Sequence, residues 1–267
     1  MRVCLLGDRG NMYSGGQGVY LHYLSKELHR LGHDVCVIVG PPYPDIVEGV
    51  SVERIPDPNF FEKGLCRENV FQAFSLVNFY ELAATKLWMF PELFAFGFKA
   101  YDKARRLQRQ SHFDIIHDNQ TLSYGTLLLK ALGIPVVATV HHPLPIDRKA
   151  EIMQAEDFKG KLGGVMFYPF FMQHLVARRM DRVITVSQSS AEEARNAFGV
   201  SPDRLRVVYN GIDTALFRRR EGVKKEKGRL IVVGNTRDRK KGILYLMRAL
   251  QLLKGEVDVK LTVVDAI

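Results

Sequence analysis

The sequence has few cysteines, and their arrangement suits neither a disulfide scaffold nor a cysteine-rich metal site. Only three of its 267 residues are cysteine, and no two of them form a CxxC pair. Cys4 and Cys36 lie inside apolar runs that are typical of buried strands, and Cys66 stands apart. An odd number of cysteines placed in this way argues against a disulfide-stapled domain and favours a reducing compartment.

The sequence also lacks an apolar run that could span a membrane. Its two most apolar stretches, 74–98 and 162–177, are interrupted by polar residues, and neither gives the roughly 20 consecutive apolar residues that a span needs. The first apolar run, residues 3–6, is too short for a signal peptide. We therefore expect a cytoplasmic protein, and a peripheral position at the inner membrane face stays open as an alternative.

Apolar residues make up 46% of the chain, which is ample for a buried core, so a disordered protein is excluded. The net charge of +9 is concentrated in one segment, because residues 217–241 hold eleven basic and three acidic residues. A nucleic-acid-binding chain usually spreads its basic residues over a face, so we expect no nucleic-acid partner. A local cluster suits a small anionic group, a solvated linker or a membrane surface.

Short apolar runs alternate with stretches of helical spacing along most of the chain. Because parallel strands need crossover helices, this alternation predicts a doubly wound, Rossmann-like α/β sheet. Residues 56–110 are less regular, and we expect helices there that vary the basic fold around a substrate. The predicted strands are 3–6, 35–39, 113–117, 136–140, 183–186 and 205–209. The predicted helices lie at 21–31, 97–109, 122–132, 166–179 and 190–198, the last opened by a capping box at Ser190.

The pattern divides the chain into three parts. Residues 1–213 form the first domain, and 214–228 form a basic linker. Residues 229–267 form one βαβ unit, with strands at 230–233 and 259–264 around a helix at 243–253. A unit of about 40 residues seldom stands alone, so we expect the incomplete start of a second Rossmann-like domain.

A glycine-rich segment joins the first strand to the first helix and suits a phosphate. Gly15, Gly16 and Gly18 permit close approach of a ligand, and the start of the helix offers unpaired N–H groups. The dinucleotide pattern G-x-G-x-x-G fails, because Leu21 stands where the third glycine is needed. The Walker pattern fails as well, since no Gly-Lys-Ser/Thr follows. Plain loop glycines remain the alternative.

Polar residues follow two central strands, where ligands of such sheets bind. His141 comes directly after the strand at 136–140, and His117 and Asn119 lie at the end of the strand before it. A capping histidine or a metal ligand is the alternative for His141, but metal sites need three or more converging ligands. A second loop, 234–242, places four cations at the start of a helix, where they oppose the helix dipole unless an anion binds among them.

Taken together, these segments resemble the retaining glycosyltransferases of the GT-B fold, family 4. The likeness is carried by Gly15-Gly16-Gln17-Gly18-Val19-Tyr20, by residues 113–117 with Thr139-Val140-His141, by 182–187 with 208–213, and by 234–242. It implies transfer of a sugar from a nucleotide-sugar to an acceptor with retained anomeric configuration. A nucleotide-sugar co-substrate is implied, with no cofactor and no metal.

The resemblance also implies roles for individual residues. Gly16, with Gly15 and Gly18, would bind the donor phosphates through its backbone N–H. His141 would contact the donor sugar, and Lys241 would neutralise the leaving diphosphate. Arg237 or Arg239 would replace the arginine that the family usually carries directly after the glycine matching Gly234, since Asn235 stands there instead. His117 and Asn119 would lie on the acceptor side, and the acceptor would be a saccharide or a lipid-linked group.

Rival interpretations follow from the same features. The family's two-glutamate motif is not found in this sequence, so a C-terminally truncated or split half-enzyme that needs a partner chain is one alternative. A binder of membranes or polyanions that uses residues 217–241 is another, and strong salt dependence of binding would favour it. A sugar-nucleotide epimerase or phosphorylase of the same fold class is the third.

Overall fold

The computed structural model describes residues 1–45, 47–67, 69–86, 91–141, 170–234, 236 and 241–265. The chain divides into two compact units, Met1–Gly211 and Ile212–Ile267. The expected three-part division with a separate basic linker stays a prediction.

The first unit is built on a seven-stranded sheet in which every neighbouring pair is parallel, as the alternating sequence pattern predicted. The strand order is β3-β2-β1-β4-β5-β6-β7. The direction of winding reverses between β1 and β4, which is the point where open α/β sheets bind ligands. The strands are β1 Arg2–Gly7, β2 Asp34–Val39, β3 Ser51–Arg54, β4 Ile115–Asn119, β5 Val136–Val140, β6 Arg182–Thr185 and β7 Leu205–Val207.

Helices cover both faces of this sheet, so its central strands are buried on both sides. Alternate residues of β1 point into two separate cores: Cys4 and Leu6 into one, Val3 and Leu5 into the other. The helices of the unit are α1 Gly16–Arg30, α2 Phe60–Lys63, α3 Leu76–Lys86, α4 Glu92–Gln110, α5 Tyr124–Leu129, α6 Phe170–Ala177 and α7 Gln188–Phe198. Short 3-10 helices lie at Met12–Ser14, Val70–Phe74 and Lys130–Leu132.

Several predicted boundaries were wrong in detail. The capping box expected at Ser190 is not the start of α7, because Ser187 is the N-cap and its hydroxyl accepts from the Ser190 N–H. Strand β4 runs to Asn119 rather than ending at His117, since its polar end residues are buried and hydrogen-bonded. Helix α5 begins at Tyr124, where the Ser123 hydroxyl caps it. The part of the predicted helix 166–179 that precedes Phe170 lies outside the described residues.

The second unit contains the predicted strand–helix–strand arrangement. Strand β8, Arg229–Val233, pairs in parallel with β9, Lys260–Val264, and helix α8, Ile243–Leu252, connects them. Apolar side chains of this unit are widely exposed, with Ile231 and Val233 of β8 at 68% and 71%. Parallel strands are normally packed against helices on both faces. The side chains of this strand pair are much less buried than those of the sheet in the first unit.

The contact between α4 and α5 depends on two glycines. A β-carbon built on Gly125 would lie 2.0 Å from the carbonyl carbon of Gly97, and one built on Gly97 would lie 2.1 Å from the Ser123 hydroxyl. Real β-carbons do not approach other atoms so closely, so the two helices meet at a distance that only glycine permits.

Gly125→Ala is therefore expected to force the helices apart and to destabilise the fold by about 1–3 kcal/mol. Urea unfolding of the variant and the parent measures the difference. Gly211→Ala is the control, because a β-carbon built there meets none of the described residues within 4 Å. Equal unfolding midpoints for Gly125→Ala and the parent would contradict the close-packing argument.

Candidate functional site

The carboxyl ends of three adjacent strands converge on the start of helix α1. In the sheet order, β1 lies beside β4 and β4 beside β5. Asn119 is the last residue of β4, and His141 follows β5 directly. The amide nitrogen of Asn119 donates to the carbonyl of Gln17, in the first turn of α1, at 3.0 Å. The structure thus brings the glycine segment, Asn119 and His141 together at the carboxyl ends of the central strands.

The imidazole of His141 is oriented by its neighbours. Its Nε2 lies 2.9 Å from Oδ1 of Asn119. Because the amide nitrogen of Asn119 already donates to Gln17, this oxygen accepts the hydrogen bond, and the proton of His141 is on Nε2. The ring of Tyr20 meets the imidazole edge to face, with centroids 4.7 Å apart. Contacts from two elements therefore fix the ring plane.

The backbone of His141 is held on both sides as well. Its N–H donates to Oε1 of Gln120 at 2.6 Å, and its carbonyl accepts from the Ser190 hydroxyl at 3.2 Å. Because its backbone and its ring are both held in place, His141 would lose little conformational entropy on binding a ligand. This is typical of a preorganised site. Residues 142–169, which follow His141, lie outside the described residues.

His117 takes part in a buried chain of hydrogen bonds. It is buried, and its Nε2 lies 2.7 Å from the Thr139 hydroxyl, which in turn lies 3.2 Å from the hydroxyl of Tyr20. Burial, and to a smaller extent the neighbouring His141, lower the pKa of His117 to about 4. His117 is therefore neutral near pH 7. Its hydrogen bond with Thr139, which also contacts the hydroxyl of Tyr20, helps to hold Tyr20 in place. Its acceptor-side role stays a prediction.

The loop after β4 has a strained backbone that Asp118 holds in place. Gln120 and Leu122 have φ angles of +64° and +47°, a region that residues other than glycine seldom adopt. The buried carboxylate of Asp118 accepts from the N–H groups of Thr121 at 3.2 Å and Leu122 at 2.7 Å. Burial raises the pKa of Asp118 to about 6, although these hydrogen bonds oppose the rise. Such strain is characteristic of functional sites.

The three glycines of the predicted phosphate segment have different surroundings. Gly15 has φ +122°, which favours glycine. A β-carbon on Gly18 would lie 1.9 Å from the carbonyl oxygen of Asn11, so packing requires glycine there. Gly16, the first residue of α1, has an ordinary φ, and a β-carbon there would meet none of the described residues within 4 Å. No local contact explains glycine at position 16.

The predicted residues of the second unit are only partly described. Lys241 is exposed, precedes α8 and lies against Gly234, since a β-carbon on that glycine would be 3.8 Å from Cγ of Lys241. Asn235, Arg237 and Arg239 lie outside the described residues. Their expected contacts with a donor therefore stay predictions.

Tyr20, Gln120 and Thr139 belong to the site although the sequence assigned them no role. A signal for Tyr20 was available, because it follows Gly16 by one helical turn and so lies on the same side of α1. Gln120 and Thr139 could not be assigned from the sequence, since their contacts depend on the path of the β4 loop and on side-chain rotamers.

Two further observations bear on the chemistry. Among the described residues, no group of three or more His, Cys, Asp and Glu side chains is arranged to hold a metal ion. In the same part of the chain, no helix combines the length and the apolarity needed to cross a membrane.

The chain matches the family described as Glycosyltransferase Family 4 over residues 14–216. It is similar to an MMP α-(1→4)-mannosyltransferase from Mycolicibacterium hassiacum, with 37% identity over 270 residues, 99% of this chain and 64% of that protein. It is also similar to a D-inositol 3-phosphate glycosyltransferase from Thermomonospora curvata, with 25% identity over 228 residues, 82% of this chain and 46% of that protein.

A solved structure shares the fold. The sucrose-phosphate synthase from Thermosynechococcus elongatus superposes with a TM-score of 0.57 and 14% identity, over 100% of this chain and 71% of that chain. This likeness confirms the expected α/β architecture. The chain spans between 46% and 64% of the length of the two curated relatives described above.

Proposed function

This chain belongs to glycosyltransferase family 4, and from that premise we propose that it transfers a sugar from a nucleotide-sugar to a saccharide acceptor with retention of anomeric configuration. The observation that carries the proposal is the start of α1 at Gly16, which none of the described residues covers and which lies beside Asn119 and His141. Family membership favours this function over the binding-protein, epimerase and phosphorylase alternatives. The fold is of the GT-B type.

The start of α1 suits the diphosphate of such a donor. The first N–H groups of a helix have no partner within the helix, and the aligned peptide dipoles make this end positive. Helix α1 has 15 residues, and its N-cap residue, Gly15, has no side chain that could cap the helix. Within the described part of the chain, the space above Gly16 is open and leaves room for a phosphate oxygen to approach the backbone. A methyl group at this position would occupy that room.

The sugar of the donor would then lie over His141 and the end of β4. The imidazole is fixed by Asn119 and Tyr20, so it can hydrogen-bond to a donor hydroxyl without rearrangement. Lys241 of the second unit would neutralise the diphosphate as it leaves. Electrostatic stabilisation of charge that develops in the transition state is usually the largest single term in enzymatic catalysis.

The sugar that is transferred is proposed from a relative alone. The protein that is 37% identical to this chain is named as an α-(1→4)-mannosyltransferase, so a mannosyl donor and an α-mannoside acceptor are the first pair to test. The protein should be expressed from its complete reading frame and incubated with a panel of nucleotide-sugars and α-(1→4)-linked mannotriose.

We expect release of a nucleoside diphosphate from one of the nucleotide-sugars and growth of the saccharide by one residue. Nuclear magnetic resonance of the product identifies the anomer, and an α-linked donor should give an α-linked product. A β-linked product would refute retention. No consumption of any nucleotide-sugar in the presence of acceptor would refute the function as a whole.

Gly16→Ala tests the phosphate site directly. We expect about a tenfold weaker affinity for the nucleoside diphosphate that the donor screen identifies, equivalent to about 1.4 kcal/mol, with unchanged thermal stability. Isothermal titration calorimetry measures the affinity. Val19→Ala, one turn along the same helix and partly exposed, is the control. Equal affinities for Gly16→Ala and the parent would refute binding of the diphosphate at the start of α1.

A further inference from the structure

The turn that follows β4 holds its backbone in a conformation that its residues do not favour. Gln120 has a φ of +64°, and Leu122 has a φ of +47°. A residue with a side chain is strained in this region, whereas glycine adopts it freely. Such strain persists only where the surrounding structure enforces it. The reason for a glutamine at position 120 should therefore lie in what its side chain does.

The side chain of Gln120 supplies a hydrogen-bond acceptor to His141. The paired residues of β4 and β5 end at Asn119 and Thr139, so the backbone N–H of His141 lies beyond the last pair. Oε1 of Gln120 accepts from this N–H at 2.6 Å, in a residue that is only 4% exposed. A glycine at position 120 would offer no such acceptor. The glutamine thus extends the link between the two strands as far as the candidate site.

Asp118 holds the turn from the interior of the protein. Its buried carboxylate accepts from the N–H groups of Thr121 at 3.2 Å and Leu122 at 2.7 Å. The side chain of Leu122 is itself buried in the hydrophobic core. These contacts fix the backbone that follows Gln120. The turn could relax to an ordinary φ only by breaking them, so the strain at Gln120 is enforced.

Three consecutive residues thus have separate tasks around His141. Asp118 fixes the turn, and Asn119 accepts from Nε2 of the imidazole at 2.9 Å. This contact sets the angle of the ring about its side-chain bonds. The contact of Gln120 with the backbone sets the direction in which the side chain of His141 leaves the end of β5. It therefore decides where the imidazole lies relative to a ligand.

We propose that Gln120 is a positioning residue for sugar transfer, which acts through His141 and for whose placement the strained turn is kept. This inference rests on the proposed function and deepens it, since it assigns a role that requires no contact with the reacting atoms. A displacement of about 1 Å in a catalytic group can lower a rate about 100-fold. Loss of the Gln120 acceptor should therefore affect turnover more than affinity for the donor.

Two variants remove the acceptor in different ways. Gln120→Gly takes away the whole side chain and adopts the positive φ without strain, so this variant should fold readily. Gln120→Met keeps a side chain of similar length and removes its oxygen. Gln173→Met is the matched control, because Gln173 is also a buried glutamine, 1% exposed, but belongs to α6.

Amide hydrogen exchange in the 267-residue chain, without donor, tests the contact itself. The N–H of His141 should exchange about tenfold faster in both Gln120 variants than in the parent, while the N–H groups of β5 keep their protection. Gln173→Met should leave the exchange at His141 unchanged. A general loss of stability would accelerate exchange throughout β5. The proposal is overturned if exchange at His141 is unchanged in either Gln120 variant, or if it rises only together with that of β5.

The kinetic test uses the protein expressed from its complete reading frame, with the donor and acceptor that the screen identifies. Both Gln120 variants should lower kcat about tenfold and leave the KM for the nucleotide-sugar within about twofold of the parent value. Gln173→Met should keep both constants. Equal kcat in Gln120→Gly and the parent would overturn the proposal, and so would a raised KM with unchanged kcat, which would make Gln120 a binding contact.

The two failures can be told apart. Sugar transfer that is insensitive to both Gln120 variants would refute the positioning role and keep the transferase. Faster exchange confined to His141, in a protein that consumes no nucleotide-sugar, would keep the contact that holds His141 and refute the proposed function.

Discussion

Replacing Lys241 by alanine is expected to lower the turnover of sugar transfer about 100-fold or more, because losing one group that stabilises transition-state charge typically costs about 10²–10³ in kcat. Lys241 is exposed and lies between the end of β8 and the start of α8, against Gly234. An exposed ammonium group contributes little to the packing of its own unit. The loss should therefore fall on kcat.

The measurement compares kcat and thermal unfolding for the protein expressed from its complete reading frame. Lys254→Ala is the control, since Lys254 is an exposed lysine near the other end of α8. Its turnover should equal that of the parent. Unchanged turnover in Lys241→Ala would refute the proposal that this lysine neutralises the leaving diphosphate. A lowered melting temperature would show that the side chain contributes to the stability of the fold.

The sheet could be predicted from the sequence because strands that are buried on both faces consist of continuous apolar residues. Strands β2 and β5 match such runs closely. The prediction failed where a strand ends in buried polar residues. Asp118 and Asn119 belong to β4, and their hydrogen bonds to the following loop and to Gln17 replace water. A prediction based on apolar residues alone therefore ends such a strand too early.

The capping error at α7 has a similar origin. Ser187 and Ser190 are both serines that precede the apolar positions of this helix, and the spacing of Glu193 favoured Ser190 as the cap. The backbone decides between them, since Ser187 is extended and its hydroxyl accepts from the N–H of Ser190. A sequence pattern cannot supply that backbone conformation.

Only part of the geometry of the candidate site could have been predicted from the sequence. The meeting of Asn119 with His141 follows from topology, because the ends of adjacent parallel strands lie side by side. The group of charged residues around Glu81 could not be predicted, since these residues come from the ends of β1 and β3 and from two helices in the irregular region 56–110. Chain positions as distant as Asp8 and Lys99 share no periodicity, and only the folded chain brings them together.

Glu81 should make the stability of the chain depend on pH in a direction opposite to that of an ordinary exposed ion pair. Burial raises the pKa of Glu81 from 4.5 to about 7, although the neighbouring Lys99 opposes the rise, and Asp57 adds to it. A carboxyl group whose pKa is higher in the folded state binds its proton more tightly there. Its contribution to stability is therefore complete below pH 4.5 and is lost as the pH rises through 7.

The free energy of unfolding of the parent should consequently fall by about 2–3 kcal/mol more than that of Glu81→Gln between pH 5 and pH 8. The comparison isolates Glu81, since Asp8, Asp118 and His117 titrate in both proteins. The charged residues that line the same opening as Glu81 are likewise present in both proteins: Arg9, Asp57, Glu92 and Lys99. Urea unfolding at several pH values gives the two curves.

Glu53→Gln separates burial from ion pairing. The Glu53–Lys103 pair has the same separation of 3.1 Å as the Glu81–Lys99 pair, but its side chains are 36% and 35% exposed. Water solvates the exposed pair, so its loss should change the free energy of unfolding by only about 0–1 kcal/mol. If the curve of Glu81→Gln ran parallel to the parent curve, the folded and unfolded states would bind the proton of Glu81 equally, and the burial of its charge would have no energetic cost.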